Sequence, residues 1–150
     1  MRPQPPSSGG IPALPCACAS LRRAARAVTQ LYEEELGQTG VTGPQFTLLQ
    51  ALAAVESITQ GRLGGMLALD SSTLSRTLKP LESKGWIRSR AGDDKRERNL
   101  ELAPNGRSRL RQAEARWIRA QERLRSAVGG REWADLLASL TRVTRAARQA

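Results

Sequence analysis

Residues 59–98, TQGRLGGMLALDSSTLSRTLKPLESKGWIRSRAGDDKRER, carry two short helical patterns separated by a tight turn and followed by a basic, strand-prone segment. Thr59 suits an N-cap, and Leu63, Met66 and Leu67 give the helix behind it an apolar side. Leu69-Asp70 breaks the pattern, and Ser71 is placed to cap a second helix over residues 71–84. At roughly 100 degrees per residue, Leu74, Leu78 and Leu81 fall on one side of that helix, while Ser72, Ser75, Arg76 and Lys79 fall on the other. Gly85 stops it. Trp86-Ile87-Arg88-Ser89-Arg90 then leads into the turn cluster Gly92-Asp93-Asp94, and residues 98–102 alternate polar and apolar. The expected product is a two-stranded hairpin with Lys95, Arg96 and Arg98 near its tip.

Outward from this centre the chain reads as helix. Leu21, Ala24, Ala25, Val28, Leu31 and Tyr32 recur at spacings of three and four, which predicts a long amphipathic helix over residues 16–36 ended by Gly37 and Gly40. Pro44 reads as the first-turn proline of a helix whose Phe46, Leu49, Leu52 and Ala53 share a face. Beyond the hairpin, residues 104–128 place Leu110, Ala113, Trp117, Leu124 and Val128 along one stripe. Gly129-Gly130 interrupts, and a last helix carries Trp133, Leu136, Leu137, Leu140 and Val143. A winged domain of some fifty residues cannot cover three long apolar stripes, so a second copy of the chain is expected to do so.

With 150 residues the chain fits one domain. Its 24 Lys and Arg against 14 Asp and Glu, a net charge of +10, favour nucleic acid or another anionic surface as partner. Residues 1–58 hold four basic and four acidic groups, residues 59–103 nine and six, and residues 104–150 eleven and four. Most of the excess therefore lies outside the central motif, where Arg107, Arg109 and Arg111 serve either as phosphate contacts or as an ordinary solvated face. No run approaches the roughly 18 apolar residues of a membrane span. Residues 1–15, rich in Pro, Gly and Ser, are expected to form a disordered tail. The stretch Cys16-Ala-Cys-Ala resembles a small-residue cleavage site, but no apolar core of about 7 to 15 residues precedes it, so a cytoplasmic setting is expected. The two cysteines exclude a disulfide scaffold.

The polar side of residues 71–84 offers hydroxyls and two long cations, the groups that bond base edges and phosphates in a major groove. Alone, such a face equally suits any solvated helix. The order of elements adds weight, because helix, tight turn, polar-faced helix and basic hairpin set two DNA-contacting elements side by side. Residues 41–106 resemble the MarR family of winged helix-turn-helix regulators, and the flanking helices extend the resemblance to about residues 17–147. The residues that carry it are Ile58-Thr59-Gln60 opening the first helix of the motif, Leu67-Ala68-Leu69-Asp70-Ser71-Ser72-Thr73-Leu74-Ser75-Arg76 around the turn, and Gly85-Trp86-Ile87-Arg88 leading to Asp94-Lys95-Arg96.

The resemblance implies a mainly α fold with a small β-hairpin wing. The winged core lies at about residues 43–103, with dimerisation helices at about 16–36 and 104–148. It implies a major-groove and phosphate set of Ser71, Ser72, Thr73, Ser75, Arg76 and Lys79, and a wing set of Arg90, Asp94, Lys95, Arg96 and Arg98. Within the wing, Arg96 enters the minor groove and Asp94 orients it, in keeping with the negative potential that a narrow minor groove concentrates. The implied partners are a pseudo-palindromic double-stranded DNA operator and a second copy of the chain. The implied mode is repression, released by a stress signal such as a small molecule, a thiol oxidant or a soft metal.

Two departures stand out: Ala103 replaces the usual capping Thr before Pro104, and Pro80 should kink the recognition helix near its end. Cys16 and Cys18 sit at the mouth of the first helix, where unpaired N–H groups favour a thiolate, so they are either an oxidant or soft-ion sensor or simply small packing residues. With no His, a full zinc site would need thiolates from a partner subunit. No nucleophile has its usual base and no Walker or Rossmann glycine pattern appears, so neither an enzyme nor a bound cofactor is expected. The rival readings are a non-specific architectural or RNA-binding protein, and a winged-helix module that binds protein.

Overall fold

The structure, a computed structural model, describes residues 12–94 and 96–150. Of the tail expected at residues 1–15, only the last four fall among these, and Lys95 at the wing tip lies outside them. Helix α1 spans Ala17–Leu36 and runs into a 3-10 turn at Gly37–Thr39; α2 spans Gly43–Ala53. A two-residue strand β1, Ile58–Thr59, precedes α3, Gln60–Leu67, and α4, Ser71–Ser83. The wing is β2, Ile87–Ala91, and β3, Arg98–Leu102; the chain ends with α5, Pro104–Val128, and α6, Gly130–Gln149.

Local chemistry explains most boundaries. Thr42 and Gln45 form a reciprocal capping box at the start of α2, with Pro44 in its first turn. Gly40 ends the 3-10 turn in the left-handed region at φ 71°. Gly106, in the first turn of α5, lies so close to β2 that an added Cβ would collide with the Trp86 carbonyl. As its composition implied, Ala103 gives α5 no side-chain cap.

The wing departs from expectation, since the hairpin is the outer part of a three-stranded antiparallel sheet ordered β1-β3-β2. Ile58 and Thr59 do not open α3 as helix. They are extended and pair with Leu100 and Asn99 of β3, while Arg88, Ser89 and Arg90 of β2 face Glu101, Leu100 and Asn99. An N-cap residue has extended backbone, so the segment entering α3 is already shaped to add to the sheet.

One core joins these elements: Leu36, Val41, Phe46, Leu48, Leu49 and Leu52 meet Leu63, Leu74, Leu78, Leu81, Trp86, Ile87, Leu100 and Ala113. Helix α2 is buried more widely than the face read from Phe46, Leu49 and Leu52, because Leu48 is also covered. Trp117 stacks on Phe46 with centroids 5.5 Å apart. Charge ties α1 to α5: the buried Glu35 carboxylate accepts from Arg123 Nη1 at 2.8 Å and lies 3.7 Å from Arg119 and 3.9 Å from Arg116. The Arg123 hydrogen bond, helped by the positive charge of all three guanidinium groups, holds the Glu35 carboxyl below its ordinary range.

Helix α6 is the least covered, with none of its residues buried. Leu137, Leu140 and Val143 are exposed on it, as are Leu21 on α1 and Ile118 on α5. No described helix is long and apolar enough to cross a membrane.

Candidate nucleic-acid interface

Local devices set the start of α3, the turn that joins it to α4 and the start of α4. Thr59 caps α3 by accepting from the Arg62 amide at 3.2 Å. Ala68 takes the left-handed conformation at φ 53° and ψ 36°, and the Leu69 amide bonds back to the Gly64 carbonyl at 2.9 Å. Gly64 permits the helices to close up: a Cβ there would lie 3.1 Å from the Leu69 carbonyl and 3.3 Å from a Leu74 methyl. The cap of α4 is Asp70, one residue earlier than Ser71. Its carboxylate accepts from the Thr73 amide at 2.8 Å and the Thr73 hydroxyl at 2.6 Å. Both residues are good caps by type, and the extended backbone of Asp70 (φ −69°, ψ 159°) decides between them. The Thr73 hydroxyl, followed by its amide, holds the Asp70 carboxyl below its ordinary range.

Helix α4 buries Leu74, Leu78 and Leu81 and leaves Ser71, Ser72, Ser75, Arg76 and Lys79 exposed. The hydroxyl of Thr73 is committed to Asp70, so its role here is to hold the helix start. Ser75 accepts from the Gln60 side-chain amide at 2.9 Å, a bond that crosses from α3. The helix runs through Pro80 to Ser83 without a break, and Lys84 is its C-cap. Pro80 and Arg76 both lie on the exposed side of the helix, and the proline removes the helical donor to the Arg76 carbonyl.

The wing is tied to α4 by Arg98. Its Nε donates to Ser89 Oγ at 2.9 Å and its Nη2 to the Glu82 carboxylate, a charge-assisted bond. Arg98 therefore serves as a strut between β3 and the end of α4. Arg90 lies 3.9 Å from Glu101 on the neighbouring strand. At the tip, Asp94 Oδ1 accepts from the backbone amide of Arg96 at 3.0 Å, and the Gly92 amide bonds the Glu97 carbonyl at 2.8 Å. The resemblance implied that Asp94 orients Arg96; here Asp94 bonds the Arg96 backbone amide, and the Arg96 side chain is exposed. Between the start of α3, the start of α4 and the wing lies a cleft of about 520 Å³ lined by Gln60, Ser71, Ser75, Arg96 and Arg98 among others. At the wing's base Lys84 Nζ sits 4.4 Å from the Trp86 ring centroid and Arg109 lies 5.7 Å from it.

Of the residues expected on the recognition helix and the wing, Ser71, Ser75, Arg96 and Arg98 border this cleft, whereas Ser72, Thr73, Arg76, Lys79, Arg90 and Asp94 do not line it and Lys95 lies outside the described residues. Thr73 holds the start of α4 and Arg98 ties the wing to its end. Two residues that matter went unread in the sequence. Glu82 shows no local signal because its partner is sixteen positions away, and Gln60 was taken only as part of a helix opening.

Farther off, Cys16 occupies the N-cap position of α1 without making a side-chain cap, and Cys18 lies in the first turn, both exposed as free thiols. Among the described residues no group of three or more His, Cys, Asp or Glu could hold a metal ion. A second cavity of about 290 Å³ opens where α1, α2 and α5 meet, lined by Val28, Tyr32, Leu36, Phe46, Thr47 and Trp117 among others.

Comparison with known proteins agrees with this geometry. The sequence profile of the MarR family matches residues 39–97. The Mycobacterium tuberculosis transcriptional regulator MosR, solved in complex with DNA, superposes with a TM-score of 0.82 at 30% identity, covering 89% of this chain and 97% of MosR. The chain belongs to the MarR family. A relative in Bacillus subtilis, the organic hydroperoxide resistance transcriptional regulator, is 34% identical over 90 residues, which are 59% of this chain and 61% of that protein. A mutant form of MarR from E. coli, complexed with operator DNA, superposes with a TM-score of 0.75 at 25% identity, covering 84% of this chain and 91% of that one. MarR proteins are transcriptional regulators, so the chain is not an enzyme, as its lack of catalytic motifs implied.

Proposed function

We propose that the chain is a homodimeric repressor that binds a pseudo-palindromic operator, each subunit setting α4 into a major groove and Arg96 into the neighbouring minor groove. The observation that carries this reading is the shared cleft: exposed Ser71 and Ser75 of α4 line it together with an exposed Arg96 whose backbone is fixed by Asp94, and Arg76 is exposed on the same helix. Lys79 and Arg90 complete the cationic rim as phosphate contacts, with Lys95 added from its place in the sequence. Dimerisation follows from the uncovered apolar residues Leu21, Ile118, Leu137, Leu140 and Val143, spread over three helices that one subunit leaves bare. The protein acts where its DNA is, in the cytoplasm.

The signal is thiol oxidation at Cys16 and Cys18. Both are exposed and separated by one residue at the start of the dimerisation helix α1, and a relative bears the name of an organic hydroperoxide regulator. Small-molecule release through the cavity beside Tyr32 and Trp117, and soft-metal capture by the thiols, are the competing triggers.

Fluorescence anisotropy with the DNA upstream of the chain's own gene tests the proposal. A specific regulator holds that fragment about a thousandfold or more tighter than random DNA at physiological salt. Equal affinity for both sinks it in favour of an architectural protein, and no binding at all favours a protein-interaction module. Hydroperoxide should weaken the complex, and Cys16→Ser with Cys18→Ser should abolish that response. If arsenite, zinc or a small aromatic acid releases DNA while hydroperoxide does not, the oxidant trigger is wrong.

A further inference from the structure

The bond between Gln60 and Ser75 bears on how DNA is read. Gln60 is the first residue of α3, half-buried, and its backbone is set by the Thr59 cap and by β1. From there its side chain crosses to α4 and Nε2 donates to Ser75 Oγ at 2.9 Å. Ser75 is exposed, lies one turn beyond Ser71, and borders the cleft that also holds Arg96. It is therefore a hydroxyl on the reading side of α4 whose hydrogen bonding is set from another helix.

A lone serine hydroxyl rotates freely and both donates and accepts, so it discriminates poorly among base edges. An amide N–H can only donate. Once Gln60 occupies a lone pair of Ser75 Oγ, the hydroxyl hydrogen cannot point at Gln60 and is left to be donated to another acceptor, such as one entering the cleft. The donated bond also polarises the hydroxyl and strengthens it as a donor. Ser75 then favours a base edge that presents an acceptor, such as guanine O6 or N7, adenine N7 or thymine O4, over the donor of cytosine N4.

We propose that Gln60 is a specificity-determining positioning residue, which fixes Ser75 as a hydrogen-bond donor and so selects an acceptor-bearing base at one position of each half-site. The inference rests on the DNA-reading role proposed above. Gln60 itself acts through Ser75 and is assigned no base contact.

The test is selection of bound sites from a random DNA library by the full-length parent, Q60A, S75A, the double variant and Q60E, with thermal melting of each protein as a folding control. The parent should yield a consensus with one acceptor-type position per half-site. Q60A and S75A should each flatten preference at that same position, lowering discrimination there by about five- to a hundred-fold, with other positions unchanged. The double variant should be no worse than S75A. In Q60E the new carboxylate accepts the Ser75 hydrogen, so Ser75 presents lone pairs to the groove and preference should turn toward a donor, cytosine N4 or adenine N6. A role confined to stability cannot produce that reversal. The inference is overturned if Q60A keeps every base preference, if it weakens all sequences equally, or if Q60E keeps a parental preference for guanine or thymine. A parental adenine, which carries both an acceptor and a donor, is resolved by 7-deazaadenine, which should weaken the parent and not Q60E. A parent that yields no consensus ends the regulator reading itself, a separate failure.

Discussion

Replacing Gly106 by Ala should destabilise the protein even though Ala is the better helix former. Gly106 lies in the first turn of α5, where a Cβ would overlap the Trp86 carbonyl oxygen and stand 2.8 Å from both the carbonyl carbon and a Leu102 methyl. These distances fall well short of the 3.4 Å at which ordinary contact begins, and the main obstacle is backbone that already accepts from the Ala103 amide. Either α5 or the start of β2 must move. Overpacking of this kind costs about 1–3 kcal/mol, and a backbone obstacle puts it near 3. The helix-propensity gain of Ala over Gly returns about 1 kcal/mol at most. The net loss is about 2 kcal/mol, or roughly 4–8 °C in midpoint for a chain of this size. Gly61 is the control, since it lies inside α3, takes no left-handed φ, and a Cβ there meets nothing within 4 Å. Gly61→Ala should raise the midpoint by roughly 1–4 °C. Thermal unfolding followed by circular dichroism at one fixed protein concentration measures both, because the midpoint of a dimer depends on concentration. A Gly106→Ala midpoint equal to or above that of the parent would refute the close approach of α5 to β2.

Arg96→Ala should weaken operator binding by about 1–3 kcal/mol and lower the slope of log affinity against log salt by about one, read by anisotropy across a salt series. Arg98→Ala should act differently. By freeing the wing from Glu82 it should speed amide exchange in β2 and β3 while leaving protein stability within about 1 kcal/mol of the parent, measured by hydrogen exchange and melting. Leu137→Asp combined with Leu140→Asp should raise the dimer dissociation constant by about three orders of magnitude or more, since four leucines leave the interface; sedimentation equilibrium reads this. Glu35 has a carboxyl held below its unfolded value near 4, so its contribution is present above that pH and disappears as pH falls through the folded value. Glu35→Gln should therefore lower stability at pH 7 and flatten its decline below about pH 4, tested by urea unfolding at several pH values.

Much of the fold was legible because glycine and proline punctuate it. The limits of β3 and α5 were read directly from Leu100, Leu102 and Pro104, and Gly129 marked the break before α6. What stayed hidden depends on partners distant in sequence. Ile58 and Thr59 become a strand only because Leu100 and Asn99 come alongside, and two residues carry no periodicity of their own. Asp70 and Ser71 are adjacent capping types, and backbone angles decide between them. The candidate site could be read only as a set of residue types on a helix face and a wing tip. Its internal wiring, Gln60 to Ser75 and Arg98 to Glu82, could not, since side chains of this kind reveal nothing of their partners until the helices are in place.

The third strand has a wider consequence. Ile58 and Thr59 belong at once to the wing sheet and to the cap of α3, while Arg98 binds the wing to the far end of α4. A finger and a probe fastened at both ends can swivel as a block but resist bending against each other. In the dimer and operator proposed above, the letters recognised and the gap between the two sets of letters would then be heritable separately: changes in α5 and α6 would retune the spacing, and changes around Gln60, Ser75 and Arg96 its spelling.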